Sequence, residues 1–168
     1  MWRKRVFTIA LGLLFIIPAF LSAQTAAELE AVLETPVLSC VQAARFITAA
    51  ALGDDDSVGD DDSVGDEGST GDEAASGAFE QALSKGWISK DTQMNDPITL
   101  GKLSFLMMKA FDLKGGMMYS LIPGPRYAFR AMVNRSFIQG AADPDMKLSG
   151  ERFLIILGKV LSAAGGES

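Results

Sequence analysis

A chain of 168 residues with a formal net charge of −6, one cysteine and no histidine excludes several function classes at the outset. Cys40 alone allows neither an intramolecular disulfide nor a thiolate metal cluster, and the commonest general base and metal ligand is missing. The charge is also uneven. Ten acids and no base lie between Asp54 and Glu73, leaving 11 acids against 15 bases elsewhere and no clustered basic face of the kind nucleic acid requires.

The chain opens on Met1-Trp-Arg-Lys-Arg-Val, continues as an apolar run from Val6 to Leu21 that contains Pro18, and leaves it through Ser22-Ala23-Gln24. A basic start, an apolar middle and a small-residue exit form the layout of a secretory signal peptide, here 1–23, with cleavage expected after Ala23. The rival reading is an uncleaved anchor, since the run from Val6 to Ala23 is of borderline length for a membrane span. After cleavage no integral span is expected. Residues 24–52 then read as a helical partial repeat, with Ala26 to Leu33 as a first helix, Pro36 in the break and Cys40 a small core residue.

Residues 53–77 read as an acidic insert. Its centre, DDDSVG-DDDSVG-DEGSTG-DE, is a six-residue repeat with too few apolar side chains to offset its ordering entropy, so disorder is expected. An EF-hand loop starting at Asp54 would place Val58 fifth and Gly65 twelfth, which fails the ligand pattern. Neither a metal nor any other cofactor is expected.

The remainder repeats itself. Slid by 50 residues, Ala78-Phe79 falls on Ala128-Phe129, Lys85 on Arg135, Trp87 on Phe137, Ile88 on Ile138, and Ile98-Thr99 on Leu148-Ser149. Each copy, 78–114 and 128–164, reads as helix, loop, helix. Thr99 and Ser149 suit the N-cap of the second helix. Leu103, Leu106, Met107, Ala110 and Phe111, like Phe153, Ile156, Leu157, Val160 and Leu161, form a single apolar stripe. A third copy of cap and stripe precedes the insert, at Leu38-Ser39 and Ala43, Phe46, Ile47, Ala50 and Ala51. Trp87 and Phe137 are expected to plug equivalent positions beneath the loop-to-helix junctions. Between the copies, 115–127 is a loop rich in Gly, Met, Tyr and Pro, and 165–168 is a tail.

A helix ending in an aromatic-Ile turn, a loop with Asp-Pro, and a hydrophobic-Thr or hydrophobic-Ser pair opening a second helix resemble the S-layer homology (SLH) module over residues 37–163. The resemblance implies an all-α fold of three helix-loop-helix repeats, the first incomplete, packed as one pseudo-threefold domain. It also implies a noncatalytic, exported module in the periplasm or cell envelope that binds cell-wall polysaccharide or peptidoglycan. The alternative is a structural or assembly protein that acts through contacts with another envelope protein. The family's Thr-Arg-Ala-Glu motif is replaced here by Thr99-Leu100-Gly101-Lys102, Ser149-Gly150-Glu151-Arg152 and Ser39-Cys40-Val41-Gln42, so its arginine position is lost in all three copies. The expected ligand or partner contacts are Lys102 and Arg152, which stand at the family's glutamate position, with Arg126, Tyr127 and Tyr119 from the central loop. No catalytic residue is expected: there is no nucleophile elbow or phosphate loop, and Asp143 and Asp145 flank Pro144 as turn formers.

Overall fold

The computed structural model describes residues 17–52 and 70–165. It contains α1 (Ile17–Glu34), α2 (Cys40–Leu52), α3 (Thr70–Ser84), α4 (Leu100–Ala110), the short α5 (Met117–Leu121), α6 (Pro125–Asn134) and α7 (Gly150–Gly165). Among the described residues there is no strand, only two isolated bridges, Ser39 with Pro97 and Thr99 with Lys147. The all-α expectation therefore holds.

The three helices α2, α4 and α7 begin alike. The amides of Gln42, Lys102 and Arg152 each donate to the hydroxyl of the residue three before them, Ser39, Thr99 and Ser149, at 3.4 Å. These caps satisfy amides that have no carbonyl within the helix. At Ser39 the side-chain oxygen of Gln42 also accepts from the Ser39 amide at 3.1 Å, completing a reciprocal capping box. Each helix then turns its apolar stripe inward: Ala43 and Ile47, Leu103, Leu106 and Met107, and Phe153, Ile156 and Val160 are buried.

The helices α3 and α6 end alike, in register with the 50-residue offset. The amides of Gly86 and Ser136 donate to Leu83 and Val133, and those of Trp87 and Phe137 to Ala82 and Met132. This is a Schellman closure, whose penultimate residue must take a left-handed backbone. Gly86 has φ +68 and Ser136 φ +61. Trp87 and Phe137 are both buried, and Lys85 and Arg135 each lie 5.6 Å over the ring two residues on.

The loop-to-helix junctions are laced to one another. The Ile98 amide donates to Leu38 and the Leu38 amide to Leu148, both at 2.9 Å. At the helix starts, the amide of Cys40 donates to Asp96, that of Leu100 to Met146, and that of Gly150 to Thr35. Helix pairing follows the same order, with α3 on α2, α6 on α4, and α1 on α7. Arg45 on α2 ties two further elements by pairing with Glu28 of α1 at 2.6 Å and donating to the Gly71 carbonyl of α3 at 3.3 Å. Leu38 and Phe153 are fully enclosed at the centre, and the Phe46 ring meets that of Phe153 edge-on at 6.1 Å. Each large apolar side chain enclosed here contributes roughly 2 kcal/mol.

Three boundaries differ from the sequence reading. Helix α3 already begins at Thr70, so 70–77 is helical and does not belong to the insert; Asp72 and Glu73 in its first turn complement the positive end of the helix dipole. Helix α6 begins at Pro125 instead of 128, because proline suits the first helical turn. The central loop also carries the helical turn α5. The expected leader up to residue 16, the insert from 53 to 69 and the tail from 166 lie outside the described residues.

Candidate functional site

A cavity of about 400 Å³ lies beside the start of α4. Its apolar lining comes from Cys40, Trp87, Ile98 and Leu106, which are buried, and from the half-buried Phe105. Three elements meet there because the Schellman turn after α3 brings in Trp87, the Thr99 cap aims the first turn of α4, and Pro123-Gly124-Pro125 adds the segment that leads into α6. The polar lining includes Lys90, Lys102 and Thr92. Thr92 is only 6% exposed, yet among the described residues its hydroxyl has no hydrogen-bond partner. A buried, unsatisfied hydroxyl costs about 1–3 kcal/mol, which makes this atom a marker of the recess.

Electrostatically the cavity is cationic at its edge and neutral at its base. Burial pushes the Cys40 thiol up to about 11, with the nearby Lys102 ammonium lowering it and Asp96 raising it. At neutral pH the thiol is therefore protonated and a poor nucleophile. On the exposed loop outside, the Ser89 hydroxyl donates to Asp91 and, with Asp91's own amide, holds that carboxyl below its usual range. Among the described residues, no three His, Cys, Asp or Glu side chains come together in a way that could hold a metal ion.

The five expected contact residues are not gathered in one place. Lys102 lines the cavity. Arg152 is committed elsewhere: its guanidinium donates to the carbonyls of Ala141 at 2.8 Å and Gln139 at 3.4 Å and touches the Met146 sulfur, so it braces the loop before its own helix. Arg126 and Tyr127 line a second hollow with Phe129, Arg130 and Pro144. Tyr119 and Tyr127 line a third, with Met117, Met118 and Arg130. The Asp143 carboxylate accepts from the Asp145 amide at 2.8 Å, the local turn that Asp-Pro-Asp suggested.

Comparison with protein-family models, curated proteins and solved structures finds no match for this chain. Sequence reasoning singled out Lys102 and passed over Lys90, Thr92 and Phe105. Trp87, Ile98, Leu106 and Cys40 carried signals in the repeat match, the apolar stripe and the core assignment, and those signals pointed to packing.

Proposed function

We propose that the chain is a noncatalytic, exported SLH-like module that holds cell-wall glycan in the cavity beside α4. Its three helix-loop-helix repeats, 24–52, 70–110 and 125–165, form one pseudo-threefold domain. The cyclic lacing of the junctions and the pairing of each second helix with the first helix of the next repeat support this architecture. The leader-like sequence before Gln24 supports export to the periplasm or envelope.

The cavity lining is the observation that carries the function. Aromatic side chains at Trp87 and Phe105 offer apolar surface to a sugar face. Lys90 and Lys102 supply positive charge for anionic substituents, and the Thr92 hydroxyl is available to a sugar hydroxyl. A concave, mostly apolar recess with a few convergent polar groups is the usual form of a small-ligand site. In this reading Lys102 is a contact residue and Arg152 a brace for its loop.

Retention on purified peptidoglycan sacculi tests the reading. The double variant Lys90→Ala, Lys102→Ala should release the protein at moderate salt with its helical signal unchanged. Full retention by that folded variant would overturn the proposed site.

A further inference from the structure

The central turn presents an apolar tip that the cavity does not use. Met117 is 74% exposed, Met118 54%, Leu121 68% and Ile122 62%, four large apolar side chains within six residues. Isolated exposed apolar residues are ordinary, but a contiguous group of this kind marks an interaction surface. The tip is built to point outward. Gly116 starts α5 and the Ile122 amide closes it onto Met118, while Tyr119 turns inward against the core. A side chain at position 115 would collide with the Tyr119 ring, so Gly115 is what lets that ring lie down. Burial, and to a lesser extent Asp112, raise the Tyr119 phenol above its usual range.

The charge around the tip is mainly positive, with Asp112 the acid beside Tyr119. From Leu113 to Ala142 the chain carries Lys114, Arg126, Arg130 and Arg135 and no acid. Arg130 shares a hollow with Met117, Met118 and Tyr127, and Arg126 shares the adjoining one with Tyr127. Apolar side chains at a tip, arginines immediately behind them and a tyrosine between the two layers are the arrangement that inserts shallowly into a bilayer interface.

The geometry points to a second binding surface on this protein: the 117–122 tip, backed by Arg126 and Arg130, docks on an anionic lipid surface. The apolar residues enter the headgroup boundary while the guanidinium groups meet lipid phosphates. The surface is distinct from the glycan cavity, although Pro123-Gly124-Pro125 connects the two, so one molecule can bridge wall polymer and membrane.

The test uses the exported chain, from Gln24, carrying Leu121→Trp, with the unmodified exported chain as background for Trp87. Added phosphatidylglycerol-containing vesicles should shift the new indole emission to the blue, and brominated lipid should quench it. Arg126→Gln and Arg130→Gln on the same background should each weaken that response about fivefold, the electrostatic share of one cation near such a surface. Met117→Trp is the second reporter should the first disturb folding. An emission unaffected by vesicles in both folded reporters would overturn the proposal. So would an equal response to purely zwitterionic vesicles, or a blue shift that needs only higher protein concentration and no lipid, which would identify a second copy of the chain as the occupant. Vesicles contain no wall polymer and sacculi no bilayer, so this test and that of the glycan cavity fail independently.

Discussion

The amide of Gly150 donates to the carbonyl of Thr35 at 2.9 Å, and the approach is close enough that the preceding turn of α1 lies directly on the first residue of α7. A Cβ at position 150 would overlap the backbone carbonyl of Val32, an atom that cannot swing aside. Gly150→Ala is expected to cost several kcal/mol, above the roughly 1–3 typical of overpacking, because the whole α1–α7 contact must shift. Gly158→Ala on the same helix meets nothing within 4 Å and should stabilise by about 0.5–1 kcal/mol. Urea unfolding of the two variants checks the pair. Similar midpoints would show that α1 does not sit against α7.

Ser136 occupies the left-handed position that Gly86 fills in the equivalent turn. An L-residue pays about 1–2 kcal/mol there, so Ser136→Gly should raise stability by about 1 kcal/mol, the larger unfolded-state entropy of glycine offsetting part of the relief. The reverse change, Gly86→Ser, should lower it by a similar amount. Thermal unfolding followed by circular dichroism is sufficient to see both signs.

Thr92→Val should separate stability from binding. Replacing the unpartnered hydroxyl by a methyl removes a desolvated polar group, so the variant is expected to gain about 1 kcal/mol. If the hydroxyl serves the glycan, sacculus retention falls in the same variant. A loss of stability would show that the hydroxyl is satisfied in solution.

These positions also show what could be read from the sequence. The caps at Ser39, Thr99 and Ser149 and the apolar stripes were legible because both follow from local periodicity, and the correspondence of Trp87 with Phe137 survives as matched burial and matched cations over the rings. Arg152 was not legible: a guanidinium on a helix face gives no sign that a loop eleven and thirteen residues upstream will offer it carbonyls. The start of α3 at Thr70 was hidden by the acidic run, where composition argued for disorder while the helix dipole favoured Asp72 and Glu73. The cavity depends on Cys40, Thr92 and Pro123 meeting from three distant segments, and no periodicity encodes such a meeting.

Burial of Cys40 carries a pH signature. Its thiol ionises near 9.0 unperturbed and near 11 in the fold, so the folded state favours the protonated form. The corresponding stability is fully present below pH 9 and is lost as pH rises from 9 towards 11. Chemical denaturation across that window should show the advantage of the parent over Cys40→Ala shrinking as pH rises. A constant difference would place the thiol in contact with water. At pH 8 the folded protein should also resist thiol-modifying reagents and react only on denaturation.

The pairing of α1 with α7 has a consequence for how the chain acquires its structure. The Leu38 amide reaches Leu148 and the last turn of α1 lies on Gly150, so the contacts that close the ring are long in sequence. Contacts of this range are reached late, since the intervening segment must first lose its freedom. During synthesis the face of α1 that meets α7 therefore stays uncovered until Leu148 and Gly150 have been made, while Glu28 can already pair with Arg45 of α2.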